Sequence, residues 1–266
     1  MTRPFPLRWP TRSGLPPLAP VLTAALLGLL LAGTARSVEI SVGHMVASIP
    51  RMTGFLGKIL VMPDWRYLPE LGLKLLETLE MTFMATVLAA LVSLPLSFLA
   101  ARNTSPAPAV FHAARGVLSL TRALPEMVWA LVFVSALGLG PLPGIMALTF
   151  VTIGFMTKFF AEALEVVDAR PVDGVAAHGA GWLQVRTFAY LPQAWPDCVG
   201  SVMYILDHNL RAATLLGLVG AGGIGYDMIM SMRLFDYNRL VLIAVAVYLM
   251  VTLLDRISDR FRARLA

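Results

Sequence analysis

Long uncharged apolar runs separated by short polar stretches dominate the chain, and their lengths fit membrane crossing. A helix needs roughly 20 apolar residues to cross a bilayer core about 30 Å thick. Residues 13–35 carry no charge, which predicts a first span at about 17–36. Residues 81–101 carry none either, and this second span starts earlier, near Leu71. Residues 127–157 are also uncharged, but Gly138-Leu139-Gly140-Pro141-Leu142-Pro143-Gly144 interrupts them. Glycine and proline at that density end a helix and turn the chain. A tight hairpin follows, with a third span at about 111–138 and a fourth at about 143–167. The fifth, about 193–218, carries Asp207, His208 and Arg211, and the sixth, about 238–257, centres on the uncharged 240–254.

The predicted fold class is therefore an all-α integral membrane protein of about six transmembrane helices. Residues 1–16 form an N-terminal tail, 37–70 an external loop with an interfacial helix, and 258–266 a C-terminal tail. Residues 71–257 form one continuous core. Lysine and arginine resist translocation, so their distribution orients the chain. With the N-terminus inside, the cytoplasmic flanks hold Arg3, Arg8, Arg12, Arg102, Arg115, Arg170, Arg186, Arg256, Arg260, Arg262 and Arg264. The external flanks hold Arg36, Arg51, Lys58, Arg66, Lys74, Arg233 and Arg239. This bias, with the C-terminal arginines tightly clustered, places both termini in the cytoplasm. A basic start, an apolar run and Ala32-Gly33-Thr34-Ala35 also resemble a cleavable signal peptide. The run is long for a signal, and its removal would leave the termini on opposite sides.

Composition agrees with this class. Apolar residues make up 58% of the 266, charged residues 14%, and the mean hydropathy is +0.75. A soluble domain has about a quarter of its residues charged, so lipid must cover much of this surface. A pI near 9.7 invites a nucleic-acid reading. The arginines bracket apolar runs instead of forming a stripe, which excludes nucleic acid as a partner. The single cysteine, Cys198, permits no intrachain disulfide and no cysteine metal cluster.

The segment between the fourth and fifth spans carries the chemistry. It reads Asp173-Gly174-Val175-Ala176-Ala177-His178-Gly179, nine residues, then Ala189-Tyr190-Leu191-Pro192. Asp173 can cap a short helix and favour its positive end. Small side chains at Gly174, Ala176 and Ala177 let that helix lie close in a groove. Gly179 can adopt the left-handed conformation that stops it, and Pro192 suits the first turn of the next span. The result is a bent strut at the membrane surface. A plain amphipathic connector is the simpler alternative.

The spacing resembles the cytoplasmic loop of importer-type ABC permeases, whose pattern is E-A-A, three residues, G, nine residues, I, one residue, L-P. Asp173 stands at the glutamate, Gly174 and Val175 at the alanines, Gly179 at the glycine, and Leu191-Pro192 at the close. Asp for Glu, Gly-Val for Ala-Ala and Ala189 for Ile depart from it while keeping charge sign or small apolar character. The run Arg211–Gly225 is similar to the fifth span and following loop of phosphonate-type permeases, as are Leu139-Gly140-Pro141 and Leu124-Pro125-Glu126-Met127. The resemblance covers most of residues 70–257. It implies a type I importer architecture with a coupling loop at 169–191 that engages a cytoplasmic ATPase dimer. It further implies an external binding protein, a second copy of the permease or a close paralogue, and an inner-membrane location. The implied cargo is phosphonate or a related oxyanion such as phosphite or hypophosphite.

Gly220-Ala221-Gly222-Gly223-Ile224-Gly225 satisfies G-x-G-x-x-G literally, but a dinucleotide site needs it inside a βαβ unit. Here it follows mostly apolar helix, and an external re-entrant turn with Gly222 and Gly223 near the pore or a docked partner is expected instead. No G-x-x-x-x-G-K-[ST] is present, so the chain is not expected to hydrolyse ATP. No metal or cofactor is expected on it, ATP and Mg belonging to the partner.

Charges within the spans form three i,i+4 couples: Arg122–Glu126, Lys158–Glu162 and Asp207–Arg211. A mid-bilayer charge costs roughly 2.5–3.5 kcal/mol on insertion scales. Mutual neutralisation along a helix face is one reading. A path that transiently attracts an anion through Arg122, Lys158 or Arg211 is the other, and the two are compatible. His208 is read as a hydrogen-bonded interior histidine, with proton relay as the alternative. A secondary transporter driven by an ion gradient is the rival function, but it favours inverted repeats that are not evident here.

Overall fold

The structure is a computed structural model that describes residues 18–37, 42–59 and 62–265. Arg3, Arg8 and Arg12 of the orientation argument and the 1–16 tail lie outside the described residues. The chain divides into two compact units, residues 1–58 and 59–266.

In the first unit, α1 (Leu18–Ser37) contains the shorter apolar stretch Ala19–Thr34. Its leucines project on every side, with Leu22, Leu29 and Leu31 about two-thirds exposed. A helix apolar all round has only lipid or protein as a suitable environment. The second helix, α2 (Val42–Ile59), falls in the predicted external loop and carries Pro50.

The second unit is all-helical among the described residues. A 3₁₀ turn at Trp65–Tyr67 leads into α3 (Leu68–Ala100), followed by α4 (Pro108–Thr121), α5 (Glu126–Leu137) and α6 (Pro141–Glu165). Two short helices, α7 (Ala169–Ala177) and α8 (Trp182–Val185), and a π-turn at Arg186–Tyr190 precede α9 (Leu191–Leu216). The chain ends with α10 (Ile224–Arg233) and α11 (Tyr237–Leu265), so the predicted tail from 258 is helical to Leu265. Among the described residues three helices, α3, α6 and α11, are long and apolar enough to span; counting each of two bent pairs as one broken span gives up to five.

The expected third span is not one helix. Helices α4 and α5 meet at 79°. Leu124 precedes Pro125, and a residue before proline avoids the helical region. Pro125 sits at φ −59°, ψ 151° and caps α5, while Arg122 ends α4. The chain therefore turns between the charged Arg122 and Glu126, just before the uncharged run that starts at Met127.

Helix α6 is central: 56% of its most apolar window is buried, against 17% for α11. One core layer joins Met156, Phe160 and Leu164 of α6 to Ala89 and Phe98 of α3, Leu118 of α4 and Cys198 and Ile205 of α9. A second is built from small residues, Ala85, Ala130, Ala147, Ala212, Ala213 and Ala221, around Leu148 and Leu216. Lipid tails compete for apolar surface, so close backbone approach through small residues supplies the packing energy. A third layer, Tyr67, Leu71, Ile224, Leu242 and Ile243, holds α10 and α11 against the start of α3.

Candidate functional site

The loop between α6 and α9 forms a bent strut. Asp168 caps α7, accepting from Arg170 N at 3.1 Å. Asp173, expected at the cap, instead lies exposed within α7, because the helix begins one turn earlier than its pattern suggested. Gly174, Ala176 and Ala177 are exposed beside it, while Val175 is half-buried. The inner face of α7 uses Val172, which packs with Val185 and Ala189. Gly179 takes φ +80°, and its N–H bonds Ala176 O at 2.9 Å as the helix closes. Past the turn, Leu191 is half-buried and Pro192 occupies the first turn of α9.

Side chains tie this loop to the core. Arg186 donates to Thr104 O from Nε at 3.1 Å and Nη2 at 2.7 Å, and its guanidinium lies 4.1 Å over the Trp182 ring. Glu165, ending α6, accepts from Arg102 N at 2.8 Å and from Arg115 Nη2 at 2.9 Å. Asn103 donates to Leu164 O at 2.6 Å. The turn after α3, the middle of α4, the end of α6 and the loop are thus tied together by hydrogen bonds, most of them charge-assisted, the stronger kind.

A polar seam crosses the core. Thr78, Thr82 and Thr86 share one face of α3, each donating to the carbonyl one turn back at 2.7–2.8 Å. Asn209 of α9 donates to Thr86 Oγ1 at 2.9 Å and accepts from Thr152 Oγ1 of α6 at 2.9 Å. Sequence reasoning missed Asn209, Thr86 and Thr152; the four-residue threonine stripe was the available signal.

The glycine turn docks on the same helices. Gly223 N bonds Glu77 Oε1 at 3.1 Å and Ile224 N bonds Thr78 Oγ1 at 2.9 Å. Gly222 has φ +83°, and a Cβ there would lie 2.8 Å from Pro141 Cα. The close approach expected toward a pore or partner is, within this chain, to α3 and the start of α6. The G-x-G-x-x-G run does open a helix, α10, but no strand precedes it among the described residues.

Two of the three expected charge couples form. Lys158 and Glu162 pair at 3.5 Å on an exposed face. Arg211 pairs with Asp207, which is buried, and reaches Asp255 of α11 at 3.5 Å. Asp255 lies in the C-terminal half of α11, so Arg211 addresses the helix interface there. Arg122 and Glu126 do not pair, because the 79° turn between α4 and α5 removes their common face. The Arg122 guanidinium lies 5.7 Å over Phe155, whose ring is 6.4 Å from that of His208. Glu126, Thr152, Phe155, His208 and Asn209 line one narrow cleft.

An all-helical bundle with broken spans, a buried polar seam and an exposed helix–turn–helix loop defines a membrane permease. Residues 93–266 match the family described as the binding-protein-dependent transport system inner membrane component, and the chain belongs to that family. It is 43% identical over 188 residues to the phosphite transport system permease protein PtxC of Stutzerimonas stutzeri, covering 71% of this chain and 68% of that one. Over 224 residues it is 37% identical to the putative phosphite transport system permease protein HtxC of the same organism, covering 84% and 79%. The phosphate-import permease protein PhnE of Mycolicibacterium smegmatis is 41% identical over 189 residues, 71% of this chain but 36% of that protein. The fold is that of the inward-facing MetNI methionine ABC transporter, with a TM-score of 0.68, 20% identity, and coverage of 76% of this chain and 99% of that one.

Proposed function

We propose that this chain is the membrane-spanning subunit of an ATP-driven importer whose cargo is phosphite, phosphonate or a related phosphorus oxyanion. The observation that carries this reading is the 168–192 strut. It presents an exposed short helix, stops it at a left-handed glycine, and is bonded through Arg186 to the α3–α4 turn. Such a strut suits transmission of motion from a soluble partner to three core helices at once. The names of the relatives support the cargo class.

In this reading the chain sits in the bacterial inner membrane with both termini cytoplasmic. Two copies, or this chain and a close paralogue, enclose the path. An ATPase dimer grips Asp173, Gly174, Ala176 and Ala177 of each α7 and carries all the ATP and Mg chemistry. An external binding protein delivers the oxyanion. Closure of the ATPases moves the struts, and the membrane subunits exchange inward-open for outward-open states.

The test is ATP turnover. The purified chain alone should hydrolyse no ATP. The complex with its ATPase should do so, and a phosphite-loaded binding protein should stimulate it. Turnover insensitive to the binding protein contradicts the importer assignment.

A further inference from the structure

Among the charges of the spans, paired groups are spoken for and unpaired ones are not. Lys158 has Glu162, and Arg211 has Asp207 and Asp255. Arg122 makes one hydrogen bond, Nε to Leu118 O at 3.1 Å, and no ion pair among the described residues. Glu126 has neither side-chain hydrogen bond nor ion pair there, and His208, expected as a hydrogen-bonded interior histidine, is instead exposed and meets the Phe155 ring. Arg122, at the end of α4, and His208 of α9 each meet the Phe155 ring of α6, and Glu126 of α5 lines the cleft that Phe155 and His208 share. The N-terminus of α5 favours the Glu126 carboxylate and the Phe155 ring favours the Arg122 guanidinium, but neither charge has a counter-ion here, and a charge without one inside a membrane faces an aqueous cavity or a ligand.

We infer that Arg122, Glu126 and His208 form a transient intramembrane station for a phosphorus oxyanion that still carries one acidic hydrogen. Arg122 attracts the anionic P–O⁻ oxygens, with a planar fork of donors suited to them. Glu126 accepts a hydrogen bond from the remaining P–OH. His208 supplies a further donor opposite. A fully ionised tetrahedral anion such as sulfate has no hydrogen to offer Glu126 and meets its carboxylate as a like charge. Recognition is thereby biased against it, since an unmatched buried polar contact discriminates more strongly than a matched one attracts.

In the conformation described, the cleft holds about 10 Å³, room for roughly one water molecule. An oxyanion enters when α5 moves away from α6. The helices meet at 79° at the non-helical turn between Arg122 and Glu126, and this break is where such a movement would turn. The same turn that unpairs the two charges thus lets the station open and close.

This inference rests on the transport reading above, and its test separates the two. The intact complex of permease and ATPase, without binding protein, is mixed with phosphite, and the ³¹P line width is measured. Wild type should broaden the phosphite line. Arg122→Gln should weaken the effect at least tenfold, and Arg122→Lys should keep part of it. Excess sulfate should not restore the sharp line with wild type but should do so with Glu126→Gln, a change no purely structural role for Glu126 produces. The double variant Arg211→Gln, Asp207→Asn should broaden the line as wild type does. A complex that takes up phosphite when given its binding protein, yet leaves the line sharp, overturns the station and leaves the transport reading intact. Wild-type broadening without any phosphite uptake does the reverse. Equal sulfate competition in wild type and Glu126→Gln overturns the role given to Glu126.

Discussion

Arg186 donates two hydrogen bonds to the carbonyl of Thr104, so the loop before α9 is fastened to the turn that joins α3 and α4. The fork geometry of arginine makes this contact directional. Arg186→Ala should lower the stability of the chain by about 1–3 kcal/mol, the usual cost of orphaning a partly buried bonded group. It should reduce ATP-driven uptake several-fold more than it reduces ATP hydrolysis, since force then reaches α7 but not the core. Arg186→Lys should recover only part of either loss. Thermal unfolding in detergent and coupled uptake measurements check both.

Two glycines of α7 and its turn should respond in opposite directions. Gly179 has φ +80°, and an alanine there should cost about 1–2 kcal/mol. Gly174 lies within the helix, and a Cβ there meets nothing within 4 Å. Gly174→Ala should stabilise by about 0.5–1 kcal/mol through helix propensity. Asp168→Ala should cost about 1 kcal/mol as a lost cap, while Asp173→Ala should leave the isolated chain unchanged and weaken only ATPase docking. Unfolding midpoints of the isolated chain and crosslinking of the complex separate the two aspartates.

Arg211→Ala should be worse than Arg211→Ala combined with Asp207→Ala. The single change leaves the buried Asp207 without its cation; because Arg211 itself is half-exposed, the loss should be about 1–3 kcal/mol. The double change removes that stranded charge and should recover both stability and transport. A double variant that folds well but does not transport would return Arg211 to the substrate path.

Asn209 bridges Thr86 and Thr152, and Asn209→Leu should destabilise by about 1–3 kcal/mol because the Thr152 hydroxyl loses its acceptor while Thr86 keeps Thr82 O. Adding Thr152→Val removes the orphaned group and should restore most of the loss, since replacing both partners of a bond is close to neutral. Equal unfolding midpoints for the single and double variants contradict this account of the seam.

Local pattern carried much of this architecture. The hairpin at Gly138–Gly144 was legible because several glycines and prolines act on backbone geometry directly. The register of Asp173, Gly179 and Pro192 was legible because spacing alone defined it, and Gly179 adopts the left-handed turn that was expected. The break at Leu124-Pro125 was masked by hydropathy, which averages over a turn made by a single proline. Asp168 caps α7 where Asp173 was expected, because the cap depends on where α7 starts, which a loop pattern does not specify. Partners distant in sequence were not legible: Thr86 lies 123 residues from Asn209, and Glu77 lies 146 from Gly223. The Arg211–Asp255 contact joins two helices whose packing is set by the third dimension alone.

The most direct measurement of the central claim is phosphite uptake by proteoliposomes that contain this chain and its ATPase. ATP is supplied on the ATPase side and the binding protein on the other. Uptake should require all three proteins and ATP, and should survive collapse of the ion gradients. Phosphite accumulation by the permease alone, driven by an ion gradient and indifferent to ATP, would contradict the account.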